Sequence, residues 1–208
     1  MFLSRIPFIV RKYAPDLCWR IPADKRNVLY LTFDDGPTPE ITLWVLAELK
    51  KYNAKATFFC IGNNIDLHPE IFDAILEGGH QVGNHTQQHE KGWQTENQKY
   101  FNSVAECQEK TKNNLFRPPY GRIKKSQIKY LKKQFKIVMW TVLSGDYMKK
   151  RTGEACAKAV INSSKSGDII VFHDSVKADK NLKIALPLVL EHFAKQFFTF
   201  ESIEAKMN

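Results

Sequence analysis

Two adjacent carboxylates, Asp34 and Asp35, stand in the segment Thr32-Phe33-Asp34-Asp35-Gly36-Pro37, and two imidazoles, His85 and His89, stand four positions apart further on. On a helix or helical turn that spacing brings both rings to one face, within reach of one cation. An aspartate from another segment would complete a set of three N/O ligands. Three protein ligands and one open position is the usual layout of catalytic zinc. A cation held this way lowers the pKa of a water and polarises a carbonyl, and a free carboxylate beside it can act as general base. Neighbouring strand residues face opposite ways, so Asp34 and Asp35 can take different jobs. His173 could protonate a leaving amine, with Asp146 fixing its tautomer and keeping it basic. Each part has an ordinary explanation of its own: a turn for Asp-Asp-Gly-Pro, a packed strand end for His173, a surface ion pair for Arg117. The combination is far more specific than any part.

Short β-rich runs that could position these groups recur along the chain, at 28–33, 56–61, 80–84, 115–119, 135–142, 168–173 and 197–203. Amphipathic segments alternate with them near 40–52, 68–78, 96–113, 125–134, 153–164 and 181–195. Strands alternating with helices of this length predict a parallel α/β fold. A full eight-unit barrel takes about 250 residues, so seven strands in 208 residues predict a deformed or incomplete (β/α) barrel. The polar residues fall where the strands end: Asp34-Asp35, the His85–His89 segment, Arg117, Asp146, and His173-Asp174. Carboxyl ends of strands are where parallel α/β folds build their sites.

Length and composition suit one domain over 1–208, with 43% apolar and 25% charged residues. Cys18, Cys60, Cys107 and Cys156 form no CxxC pair, which argues against a disulfide framework or a thiolate zinc site. The net charge of +9 points weakly to anionic partners. Lys124, Lys125, Lys129, Lys132 and Lys133 contribute much of it and read as a solvated helix face. No nucleic-acid-binding motif accompanies that charge, so nucleic acid is not an expected partner. The start, MFLSRIPFIVRKYAP, carries an apolar run too short for an export signal and no small-residue cleavage site. No run reaches the roughly 18 apolar residues of a membrane span. A soluble protein is expected, cytoplasmic or associated with the cell envelope. Its oligomeric state is left open, and a monomer is compatible with the chain.

Five ordered segments resemble the polysaccharide deacetylase family, also known as the NodB-homology or carbohydrate esterase 4 family: TFDDGP (32–37), HTQQH (85–89), RPPYG (117–121), WTVLSGDY (140–147) and VFHDS (171–175). The resemblance covers about 28–203. It implies a deformed (β/α) barrel and hydrolysis of an N-acetyl group on an N-acetylated glycan, of peptidoglycan or chitin type, with release of acetate. By position, Asp34 resembles the catalytic base, and Asp35, His85 and His89 resemble ligands of one divalent metal, most often zinc, for which cobalt or nickel would also suit the donors. Arg117 resembles the residue that orients Asp34. Tyr120 resembles the donor, through its backbone N–H, to the oxyanion. Asp146 and His173 resemble the pair whose histidine is the general acid. Two departures lie in the fourth segment, where Leu143 replaces an aspartate often found there and Tyr147 replaces a tryptophan. Substrate contacts are expected from Tyr120, Tyr147 and Trp93, the last either a sugar platform or a packing residue. The alternative activities are hydrolysis of a small non-sugar amide on the same fold and, outside catalysis, a glycan-binding relative.

Overall fold

The computed structural model describes residues 3–23 and 27–204. Among these described residues eight strands form: β1 (Val28–Asp34), β2 (Ala56–Cys60), β3 (Gln81–Asn84), β4 (Leu115–Phe116), β5 (Lys136–Ile137), β6 (Val142–Leu143), β7 (Ile169–His173) and β8 (Thr199–Phe200). The helices are α1 (Phe8–Lys12), α2 (Ile41–Lys51), α3 (Gly62–Leu67), α4 (Pro69–Glu77), α5 (Asn97–Thr111), α6 (Lys125–Leu131), α7 (Gly153–Ser163) and α8 (Asp179–Ala194). Six of these helices and all the expected strand positions agree with the sequence reading, while α1 and α3 carry too short an apolar pattern to be foreseen. Among the described residues no helix is long and apolar enough to cross a membrane.

The strands run parallel in the order β5-β4-β3-β2-β1-β7-β6, with β8 pairing the start of β1. The result is the curled, deformed barrel expected. One strand differs: the run 135–142 is divided. Its first part, β5, pairs with β4, and its last part, β6, pairs with β7. Between them the chain crosses from one edge of the sheet to the other. Outside this crossing lies the N-terminal segment, where the Leu143 N–H donates to Ser4 O (2.8 Å) and the Met139 N–H to Cys18 O (2.7 Å). Arg5 ties the segment down by an ion pair of 2.5 Å with the fully buried Asp168.

Side-chain alternation sorts β1 into two sets. Leu29, Leu31 and Phe33 join the larger core with Val45, Leu49, Leu186 and Val189 of α2 and α8. Val28 and Tyr30 belong to a smaller interior cluster with Phe59, Leu115, Val138 and Ile169. Thr32 and Asp34 continue that interior row toward the end of the strand. The same alternation on β7 places Ile170 and Phe172 in the outer core and turns His173 inward. Gly83 on β3 is required by close approach, because a Cβ there would sit 2.6 Å from the Phe59 ring. The third core cluster lies under α5 and α6, around Tyr100, Val104, Phe116 and Leu131.

Candidate active site

Asp34 is the last residue of β1, beside His173 of β7 in register. Its Oδ1 accepts a 2.7 Å hydrogen bond from Arg117 Nη1. Arg117 follows β4 and is fully buried. The same guanidinium donates to Thr32 Oγ1 (2.7 Å), Val138 O (3.2 Å) and Met139 O (2.9 Å), and lies 4.1 Å from the centre of the Phe59 ring. Arg117 therefore fills the gap where the chain crosses between β5 and β6 and satisfies two of its carbonyls. A charge this deeply buried is tolerated only when paired and hydrogen-bonded.

Asp35 lies one residue beyond β1, with a left-handed φ of 81°. Asn64 of α3 donates to its backbone carbonyl at 2.8 Å, anchoring the loop. Asp35 Oδ1 is 3.1 Å from His89 Nε2 and 3.6 Å from His85 Nε2. One ligand atom from each of Asp35, His85 and His89 lies within 4.8 Å of the others, so these residues could hold one cation. His85 Nδ1 donates to Arg117 O at 2.7 Å, which leaves the lone pair on Nε2 facing the other two donors. Burial pushes the His85 pKa down to about 4, so the ring is neutral as a ligand must be. Burial also works to raise the Asp35 pKa, but the His89 hydrogen bond and the surrounding imidazoles hold it well below the usual carboxylate range. Nitrogen and carboxylate donors without thiolate fit a catalytic zinc-type centre.

The expected helical turn at 85–89 is not what unites the two histidines. The segment is a loop after β3, with left-handed φ at Thr86 (64°) and His89 (58°). Gly62 and Asn63 of α3 donate to Thr86 O and Gln87 O at 2.9 Å each, and Ser103 of α5 accepts from the Gln87 N–H at 2.9 Å. The loop conformation, supported by two helices, does what a helix face was expected to do.

On the other side of the cleft, Asp146 is fully buried. Its Oδ1 accepts from His173 Nδ1 and its Oδ2 from the His173 backbone N–H, both at 2.8 Å. Burial alone would disfavour the imidazolium, but the Asp146 carboxylate outweighs it and raises the His173 pKa to about 9. Asn181 of α8 donates to Asp146 O at 2.8 Å and holds the loop. Nothing in the sequence marked Asn181, because it lies outside the ordered segments on a helix whose pattern reads as packing. Asp174 faces away from His173. It accepts from Thr42 Oγ1 (2.6 Å) and the Gly36 N–H (3.2 Å), and a Cβ at Gly36 would collide with its carboxylate.

A cleft of about 450 Å³ gathers Asp34, Asp35, His85, His89, Tyr120 and His173, together with Leu143, Tyr147 and Trp140. Tyr120 is exposed at the mouth with a left-handed φ of 60°, its ring 4.6 Å from that of His89. Tyr147 stacks edge-on against His173 at 5.0 Å. Trp93 does not line the cleft. It stands exposed nearby, its Nε1 donating to Ile123 O at 3.0 Å.

A polysaccharide deacetylase family model matches residues 22–136. A peptidoglycan-N-acetylglucosamine deacetylase of Bacillus cereus is 32% identical over 192 residues, covering 89% of this chain and 90% of that protein. The peptidoglycan-N-acetylmuramic acid deacetylase PdaC of Bacillus subtilis is 35% identical over 157 residues, 72% of this chain, which spans only 32% of the length of PdaC. A crystal structure of a peptidoglycan N-acetylglucosamine deacetylase in complex with 4-naphthalen-1-yl-N-oxidanyl-benzamide has a TM-score of 0.86 at 30% identity, over 95% of each chain. Likeness of this extent in both sequence and backbone makes the chain a member of the polysaccharide deacetylase family, an enzyme of the polysaccharide N-deacetylase class.

Proposed function

We propose that the chain removes N-acetyl groups from an amino-sugar polymer of peptidoglycan type, releasing acetate, with one divalent cation as resident cofactor. The catalytic unit is the single domain whose motifs run over about 28–203. The observation that carries this reading is the Asp35, His85 and His89 donor set, placed in one cleft with a carboxylate held by a buried arginine and an imidazole held by a buried aspartate. The cation, zinc by donor type with cobalt or nickel able to replace it, would polarise the acetamide carbonyl and a water.

The chain's own residues then divide the work. Asp34 takes a proton from the attacking water. Arg117 holds that carboxylate through Oδ1, which leaves Oδ2 without a hydrogen-bond partner among the described residues. The Tyr120 N–H, turned by the left-handed backbone, donates to the oxygen that gains charge, an effect commonly worth about 3–4 kcal/mol for one donor. His173, protonated on both nitrogens and held by Asp146, gives the Nε2 proton to the departing amine. The exposed ring of Tyr120 and the half-buried ring of Tyr147, both lining the cleft, suit sugar rings better than a small amide enclosed in a pocket.

An acetate-release screen over N-acetylated glycans and small amides tests the reading. Activity is expected on the glycans, to be lost with a chelator and regained with zinc or cobalt. Full activity after metal removal, or turnover of small amides only, would count against it.

A further inference from the structure

Around the mouth of the cleft stand Lys91, Arg122 and Lys177, all exposed, all lining it. Each is laid over an aromatic ring: Lys91 Nζ lies 5.3 Å from the centre of the Tyr120 ring, Arg122 Cζ 5.3 Å from that of Trp93, and Lys177 Nζ 5.4 Å from that of Tyr147. Cations within about 6 Å of a ring face are attracted to it, so these charges have preferred positions instead of sweeping through solvent. Among the described residues none of the three has an ion-pair partner. The nearest acids in sequence are engaged elsewhere, Glu90 with Ser103 Oγ (2.6 Å) and Asp179 with Lys183 (2.8 Å). Among the described residues no acidic side chain lines the cleft apart from Asp34 and Asp35 at the centre, and Leu143 adds an apolar wall. Charges arranged in this way concentrate an anionic ligand at the opening.

We propose that Lys91, Arg122 and Lys177 form a specificity rim that selects glycans carrying carboxylates next to the N-acetylated sugar presented to the centre. The proposal rests on the glycan deacetylase reading above and names the substrate class within it. The three cations come from separate segments, the loop after His89, the turn after Tyr120 and the loop after β7, and the fold brings all three to the lining of one cleft. Trp93 gains a role here. It is no platform inside the cleft but the support that fixes Arg122 at its edge. The carboxylates could belong to acidic groups on the sugar itself or to peptide attached to it, and the rim reads the chemistry common to both.

The test compares cell-wall glycan strands with the same strands after their carboxyl groups have been reduced to alcohols. Acetate release gives kcat/KM, and equilibrium titration gives Kd, each for the wild type and for Lys91→Gln, Arg122→Gln and Lys177→Gln, singly and combined. The preference for charged over reduced strands is expected to fall about two- to fivefold for each charge removed, as for exposed ion pairs, chiefly through KM. Lys91→Arg and Lys177→Arg should retain it. Added salt should shrink the wild-type preference. An unchanged preference in the triple variant, with metal content intact, overturns the proposal. If no strand releases acetate, the deacetylase reading fails, and the Kd arm still decides the rim: a binding preference lost in the triple variant supports it, and equal binding of both strands by the wild type sinks it. Strands stripped of peptide separate the sources. A preference that persists assigns the rim to sugar-borne acid, and one that vanishes assigns it to peptide acid.

Discussion

Asp34 and Asp35 are joined by one peptide bond, yet β1 ends between them, and that boundary separates their chemistry. Asp34 remains in the inward row under Arg117, while Asp35 turns through a left-handed φ toward the two imidazoles. Asparagine keeps the shape of aspartate without its basicity. Asp34→Asn is expected to keep its metal and lose catalysis by a factor on the order of 10²–10⁴, the usual contribution of a general base. Asp35→Asn should instead bind metal weakly and regain some activity in excess zinc or cobalt. Elemental analysis beside rates with added metal distinguishes the two, and metal rescue of Asp34→Asn would reverse the assignment. The Asp146–His173 pair gives a pH prediction. The acid is the protonated ring, so its contribution is full below its pKa and is lost as pH rises through about 9. Asp146→Asn removes the charge that outweighs burial, and the alkaline limb of the kcat profile should move to lower pH, toward the ordinary histidine range of about 6.5. A limb that stays in place would mean another group sets it. His173→Ala should cost less on an aryl acetate than on an N-acetyl sugar, since an aryloxide leaves without a proton. Equal losses on the two substrates would make His173 structural. These groups were legible in the sequence because their types and order carry chemistry. Asn181, Asn64 and Thr42, which hold the loops in place, were not, because hydrogen bonds to a backbone carbonyl or a buried carboxylate leave no pattern.

At the scale of elements, the informative departure is the run 135–142. Its composition reads as one continuous strand, but the chain leaves β5, bends at Thr141 and changes partners before β6. Periodicity reports which way side chains face and says nothing about which strand lies alongside, so the division could not be read locally. Likewise the spacing of His85 and His89 points to one face of a helix or helical turn, whereas a loop with two left-handed residues brings the rings together when α3 and α5 hold it. Where the chain changes partners, Arg117 supplies donors that no neighbouring strand supplies. Arg117→Met should therefore destabilise the fold by about 3–5 kcal/mol, the usual effect of removing one member of a buried pair, read as a lower denaturant midpoint. Arg117→Lys should recover only part, since an ammonium cannot reach Thr32, Asp34 and two carbonyls in the planar array that the guanidinium offers. A midpoint unaltered in Arg117→Met would show that the crossing is held by the N-terminal segment alone.

Across the molecule, the parallel α/β class followed from alternating strands and helices, and placement of the polar residues at strand ends followed from that class. Closure of the barrel did not, because it depends on segments far apart in sequence: Ser4 and Cys18 against 138–143, and Arg5 against Asp168. The charge of +9 was legible as a sum, but its organisation was not. The lysines in and beside α6 cluster in sequence, whereas Lys91, Arg122 and Lys177 are scattered and meet only at the cleft. Arg117 has a consequence for how the protein comes apart. From the end of the fourth strand, one guanidinium bonds the first strand and the crossing between the fifth and sixth, residues up to 85 positions away in the chain. Such a tie leaves no half of the barrel able to open while the other keeps a working centre. Loss of activity and loss of helical circular dichroism should then follow one denaturant curve, with no inactive but folded species between. Amides on β1 and β7 should exchange their hydrogens only through global unfolding, so that the reacting centre sits in the slowest-exchanging part of the chain.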